Sequence, residues 1–320
     1  MATTQTNESS NLPVKLLTDE SYKSRSLRQR SLSRFLRHRM AVTGGVMLLL
    51  IFAYVTFGAF LYTEAQANFN DTSRRLQAPS VEFPFGTDTI GRNIMARTIY
   101  GGQISLLIGI FAVIVETSVG VTIGLVSGYY GGWIDAILMR VTEAMLSIPQ
   151  LLILLVVAKF MGTKIPTIQL LGRTFSGSVI IIIVIIGLTS WMGLARIVRS
   201  GVLSIKESEY IVAARALGAP NRRIIFSHII PNTLAPVLVA ATLGVANAIT
   251  TEAYISFLGF GVQAPTATWG NMLEGSRQYI EGAPWLWIFP GLMILLTVMG
   301  INFVGDGLRD AFDPRSDSKI

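Results

Sequence analysis

The chain has 320 residues, 51% of them hydrophobic and 14% charged, and 26 Lys and Arg against 19 Asp and Glu give a net charge of +7. A soluble domain carries about 25% charged residues, so this composition argues against a soluble enzyme, and its hydrophobicity excludes intrinsic disorder. With no cysteine and only two histidines, His38 and His228, there is no disulfide framework, thiolate metal site or cysteine nucleophile, and no basis for a multi-histidine metal centre.

Residues 1–22 are polar, rich in Ser, Thr and Asn, and expected to be disordered. Residues 26–39 space Leu27, Leu32, Phe35 and Leu36 among arginines, the pattern of a helix lying on the inner face of a membrane. A hydrocarbon core of about 30 Å takes about 20 apolar residues in a helix. Residues 41–63 are uncharged for 23 residues, 174–195 for 22, 229–251 for 23 and 282–305 for 24. Residues 103–133 are apolar except for Glu116. Residues 144–158 give 15, reaching full length only if the helix starts near Ile137 and tolerates Arg140 and Glu143. The expectation is an all-α polytopic membrane protein with six transmembrane helices. Its parts are a basic cytoplasmic segment (1–40), a membrane domain (41–305) and a cytoplasmic tail (306–320).

Ala65-Gln66-Ala67 resembles a signal-cleavage site, but the polar leader of 40 residues and the apolar run of 23 are too long for a signal peptide. The first span is therefore expected to be an uncleaved anchor. Of the 26 Lys and Arg, 18 fall in the N-terminal segment, at Arg140, in the 194–230 loop and in the tail. The positive-inside rule then puts both termini in the cytoplasm. The basic segment reads as a topology signal and lipid contact, and no nucleic-acid partner is expected.

Between the first two spans lies a long external connection, broken by Pro79, Pro84 and Gly86, after which residues 89–100 are expected to form a short helix with Asp88 as its N-cap. Gly120, Gly124 and Gly128 recur every four residues and put a smooth strip on one helix face for close packing. Pro149, Pro231, Pro236 and Pro290 lie in or near spans, as hinges or static kinks. Asp313-Pro314 is expected to end the last helix.

No phosphate-binding loop, nucleophile elbow or zinc-protease motif occurs, so neither ATP hydrolysis nor another catalytic activity is expected of this chain, and no cofactor or metal. Glu116 is the one carboxylate read inside a span, either lining a substrate path or hydrogen-bonded to a neighbouring helix. The most informative segment is the loop after the fourth span. Glu207 and Glu209 suit a helix start through the dipole. The alanine-rich run is helical, Gly218 can end it in a left-handed conformation, and Pro220 can open a second helix. The first helix would put Tyr210, Ala213, Ala214 and Leu217 on one face, where small side chains let a body outside the membrane approach closely. The hairpin reads as a docking element, with a plain amphipathic connector as the alternative.

The spacing Ala213-Ala214-x3-Gly218-x9-His228-x2-Pro231 resembles the "EAA" loop in membrane subunits of bacterial ATP-binding-cassette (ABC) importers. Four further segments make the chain similar to the second permease subunit of the dipeptide/oligopeptide/nickel group. They are Phe85–Asn93, Gly128–Asp135, Ser256–Leu273 and Gly305–Arg315. The resemblance implies a type I permease fold in the bacterial inner membrane and a coupling helix seated in a separate ATPase. The coupling residues would be Glu209, Tyr210, Ala213, Ala214, Arg215, Leu217, Gly218, His228 and Pro231. It also implies a second homologous permease subunit, two cytoplasmic ATPases and an extracytoplasmic substrate-binding protein. The cargo would be a di- or oligopeptide, with nickel, glutathione or an oligosaccharide as alternatives. A self-sufficient carrier or channel is the competing class; a membrane enzyme lacks its residues. Two positions depart from the family pattern: Val212 stands where a Glu is common, with Glu209 as its candidate replacement, and Asn93 stands where Asp is common.

Overall fold

The computed structural model describes residues 27–161, 166–170 and 173–312. The expected disorder of 1–22 and the Asp313-Pro314 stop lie outside these residues. Long uncharged runs become helices because a helix satisfies every backbone N–H and C=O within its own segment, which hydrocarbon surroundings demand.

Helix α1 (Leu27–Arg37) leads into α2 (Arg39–Leu61) through His38. The His38 Nδ1 accepts from the Ala41 N–H at 3.1 Å, and its Nε2 lies 3.3 Å from Asp310 at the far end of the chain. One neutral tautomer, protonated at Nε2, serves both contacts. Then come α3 (Glu64–Asn68), α4 (Ile94–Tyr130), α5 (Gly132–Ser147) and α6 (Gln150–Met161). A short antiparallel hairpin, β1 (Ile168–Leu170) and β2 (Arg173–Phe175), precedes α7 (Ser178–Lys206). The order continues through α8 (Glu209–Ala216), α9 (Asn221–Ile224), α10 (Ile230–Phe257), α11 (Trp269–Glu274) and α12 (Trp285–Phe312).

Helices α2, α4, α7, the α9–α10 rod and α12 are each long and apolar enough to cross a membrane, and the bent pair α5–α6 makes a sixth crossing if it spans as one. Helix α7 is the most enclosed and forms the centre of the bundle. The Gly120, Gly124 and Gly128 strip of α4 lies on it: a β-carbon on Gly124 would sit 2.4 Å from the Ala195 carbonyl oxygen, and one on Gly128 2.8 Å from Val202 Cβ. On the other flank, a β-carbon on Gly44 of α2 would sit 2.6 Å from the Gly300 oxygen of α12. Absent side chains let these backbones pack tightly, which is how helices associate where no hydrophobic drive separates them from lipid.

Three expectations are corrected. The third span is not one helix from near Ile137: it starts at Gly132 and breaks at Ile148-Pro149, with an 81° bend between its halves. Proline excludes the preceding residue from the helical region, and Ile148 is extended. Residues 89–100 do not form a separate external helix, because α4 runs unbroken from Ile94 into the second span. Asp88 is not its N-cap; Asn93 is, accepting from the Ala96 N–H at 3.2 Å. Asp88 instead closes the turn before it, accepting from the backbone N–H of Ile90 and of Arg92. Pro220, as expected, opens the second hairpin helix, standing as its cap one position before the first helical residue.

Residues 62–93 and 258–284 fold together into a cap on the end of the bundle opposite the hairpin. Phe85 stacks on Phe289 at 3.9 Å, and Trp285 Nε1 donates to the Thr87 carbonyl at 3.2 Å. Trp269, with 0% of its surface exposed, wedges α11 against α4. Its indole donates to the Thr98 carbonyl at 2.9 Å and its backbone N–H to Ser105 Oγ at 3.2 Å.

Candidate functional site

The hairpin between α7 and α10 projects from the end of the bundle that also holds His38 and Asp310. Helix α8 follows α7 after a two-residue turn at Glu207 and Ser208 and is anchored by Ile211, which is fully buried. The helix stops at Gly218, where φ is +80°, a conformation L side chains avoid. There the Ala219 N–H bonds back to the Ala214 carbonyl at 3.0 Å and the Gly218 N–H to the Arg215 carbonyl at 3.0 Å. This is the six-to-one closure typical of glycine-terminated helices. Helix α9 returns beneath α8 on buried Ile224, and a π-helical turn over Ile225–Ile229 joins it to α10.

Anchored from below, the hairpin presents an apolar face to whatever lies beyond it. Leu217 at the tip is 88% exposed, and Tyr210, Val212, Ala213 and Phe226 are exposed beside it. Ala214 is half-buried against the underlying helix. Glu209, Arg215 and Gly218 are exposed, with Glu209 in the first turn of α8 and Arg215 in its last. The Tyr210 and His228 rings lie 6.2 Å apart, and Asn232 Nδ2 donates to the His228 carbonyl at 2.6 Å. Pro231 sits in the first turn of α10. The structure thus brings Tyr210, His228 and Pro231 to the base of the hairpin and Arg215, Leu217 and Gly218 to its tip.

Phe226 escapes the motif-based reading of the loop; its one signal in the sequence is an aromatic residue between charged and polar neighbours, Arg223 and Ser227. With Arg222 and Arg223 it borders a depression of about 400 Å³ beside the tip. Two side-chain pairs tie this end of the bundle together. Tyr129 OH donates to Asn221 Oδ1 at 2.7 Å, joining α4 to α9. Arg199 grips Asp135 through Nε at 2.5 Å and Nη2 at 2.6 Å, joining α7 to α5.

Glu116 belongs to none of this. It lies 14 residues before the end of α4, about 20 Å along the helix axis. Its carboxylate is half-buried against Gly244 of α10, where a β-carbon would meet Oε2 at 3.3 Å. Among the described residues it has no hydrogen-bond or ion-pair partner. Glu252, by contrast, is wholly buried near the end of α10 and accepts from Ser256 Oγ at 2.6 Å and Ser105 Oγ at 3.4 Å.

These features define a class: a polytopic helical membrane protein that offers a rigid docking hairpin. Residues 120–318 match the family model described as "Binding-protein-dependent transport system inner membrane component", and residues 26–79 match "N-terminal TM domain of oligopeptide transport permease C". The chain is 43% identical over 282 residues to a dipeptide transport system permease protein of Alkalihalophilus pseudofirmus, covering 88% of each chain. It is 40% identical over 293 residues to an oligopeptide transport system permease protein of Haemophilus influenzae, covering 91% of this chain and 89% of the relative. A crystal structure of an amino acid ABC transporter superposes with a TM-score of 0.45 at 19% identity, covering 66% of this chain and 90% of that one, a likeness too distant to bear on function. The chain belongs to the inner-membrane permease family of bacterial ABC importers, in the second-subunit type of the dipeptide/oligopeptide/nickel group. It is a multi-pass membrane subunit that forms part of an importer's pore, and such importers work with ATPase and binding-protein partners.

Proposed function

We propose that this chain forms half of a peptide-conducting pore, paired with one homologous permease subunit, two cytoplasmic ATPases and an extracytoplasmic peptide-binding protein. Both termini and the α8–α9 hairpin face the cytoplasm, where the partner subunits hydrolyse ATP. The cargo is a di- or oligopeptide, as the names of the relatives suggest. One observation carries the coupling role: a glycine-terminated helix holds an exposed apolar tip at Leu217 on a base locked by buried Ile211 and Ile224.

The hairpin seats in a groove of an ATPase. When the ATPases close on nucleotide, the seated hairpin moves with them. It acts on two levers, α7, which enters α8 through a single tight turn, and α10, which continues from α9 through the π-helical turn. The Asp135–Arg199 pair passes the displacement to the bent α5–α6 span. A packed bundle responds to such a push by switching between two arrangements rather than by deforming smoothly. Val212 is exposed where the family pattern places an acid; the acid-to-arginine pairing then falls to Glu209.

Gly218→Asp tests the role. A β-carbon strains the left-handed turn, and nothing lies within 4 Å of the glycine to be displaced, so the bundle should insert and fold normally. The expected result is membrane insertion at wild-type levels with ATP-dependent peptide uptake abolished. Wild-type uptake by this variant would refute the coupling role.

A further inference from the structure

The cap end of the bundle holds a cavity of about 590 Å³ between the start of α4, the connection after α10 and helix α11. That is within the range of small-molecule sites, roughly 300–1,000 Å³. Its wall is polar and carries both signs of charge. Arg92, Arg97 and Arg277 reach it, as do Glu274, Gln263 and Gln278.

These charges are not equally committed. Arg92 is bound to Asp88, Nε to Oδ2 at 2.6 Å. Arg97 is nearly enclosed, with 6% of its side chain exposed, yet its contacts are long: 3.4 Å to Asn68 Oδ1, 3.5 Å to the Ala67 carbonyl and 3.9 Å to Asp88 Oδ2. Charge-assisted bonds run at about 2.7–2.9 Å, and a guanidinium kept from water needs such partners. Arg97 therefore has unused capacity for an anion. Arg277 lies over the Phe257 ring at 4.1 Å, and among the described residues its N–H groups have no hydrogen-bond or ion-pair partner. Glu274 has no ion-pair partner among the described residues.

We propose that this cavity is an entry site for a zwitterionic short peptide, with its terminal carboxylate on Arg97 and Arg277 and its terminal ammonium on Glu274. The inference rests on the peptide-import reading above. A carboxylate-rich protein surface is the other occupant that positive charge would attract, but it would bring like charge against Glu274. A zwitterion satisfies both signs at once, and the side-chain amides suit the polar backbone between its ends.

The experiment uses the complete transporter, with its ATPases, partner permease and binding protein, in proteoliposomes. The probes are trialanine, trialanine amide and N-acetyl-trialanine. One batch of binding protein serves every variant, so its own preference cancels. Arg277→Gln should lower trialanine uptake at least fivefold and change uptake of the amide less than twofold. Glu274→Gln should do the same for trialanine against the N-acetyl peptide. Arg97→Gln should match Arg277→Gln, with Arg97→Lys partly restoring uptake. Because Arg97 is buried and its variants could misfold, the two exposed positions decide the matter. Equal loss for all three probes would reassign the charges to contact with the binding protein and overturn the proposal, as would no change for any. Equilibrium dialysis of trialanine against the detergent-purified permease pair separates the two readings. Binding that Arg277→Gln abolishes, in a wild-type assembly that imports none of the probes, sinks the cargo assignment and keeps the site. Absence of binding to the wild-type pair sinks the site.

Discussion

Gly124 shows what a single hydrogen can do in this bundle. Its Cα is pressed so close to α7 that any side chain would strike the Ala195 carbonyl at 2.4 Å, backbone that cannot rotate away. Overpacking of this kind costs about 1–3 kcal/mol. Gly124→Ala should lower the thermal midpoint of the detergent-solubilised protein by several degrees, read by intrinsic fluorescence. Gly193, also helical but with nothing within 4 Å of where a β-carbon would sit, is the internal standard: Gly193→Ala should leave the midpoint unchanged or raise it. The same scale explains two residues that the sequence disguises. Glu252 and Arg97 are charged, and a search for uncharged runs takes a charge as the edge of a membrane span. Here Glu252 is solvated by the hydroxyls of Ser105 and Ser256, groups supplied by α4 and by its own next turn. Burial of that carboxylate depends on a tertiary neighbour 147 positions away, which no local pattern encodes.

At the scale of elements, the Asp135–Arg199 clasp is the contact most open to test. It is bidentate, half-shielded, and joins the first half of the bent span to the central helix. Asp135→Asn should leave ATP hydrolysis by the assembled transporter within about twofold of wild type while peptide uptake falls several-fold. The exchange Asp135→Arg with Arg199→Asp should recover part of it, measured as peptides moved per ATP consumed. Recovery is the informative arm, since a merely structural loss would deepen when both residues change. Elements also mark how far local sequence reaches. The hairpin is legible because Gly218 and Pro220 punctuate an alanine-rich run, and those signals are intrinsic to the residues. The bend at Pro149 is not, since a proline inside an apolar run permits either a kink or a full break. Here the full break is the one taken, with Ile148 extended and the two halves 81° apart. The length of α4 is hidden for the opposite reason: the charge of Arg97 sets the short helix expected over 89–100 apart from the apolar run from Gln103, so the two read as separate elements, whereas the chain makes one helix whose start is held by Trp269 on the Thr98 carbonyl.

At the scale of the whole molecule, the absence of cysteine makes orientation directly measurable. A single cysteine at the exposed positions of Val81 and of Leu217 provides a reporter on each end of the bundle. With intact cells stripped of their outer barrier, a membrane-impermeant maleimide should label Val81→Cys from outside. Leu217→Cys should label only after the membrane is opened. Six crossings with both termini inside require this pattern; the reverse pattern would invert the topology and move the hairpin away from any ATPase.

Trp269 has a mechanical corollary. By filling the crevice between α11 and α4, with a bond from each end of the residue, it turns the cap, α4 and the upper part of α10 into one chassis. Sliding these parts past one another would empty a space the size of an indole and strand two buried donors, a heavy toll for a cycle repeated with every cargo molecule. The joint that can flex at lower cost is the elbow at Pro149, where the helical ladder is already cut and Gln150 is held to α7 by partly exposed bonds from its Nε2 to the Thr189 and Ser190 hydroxyls.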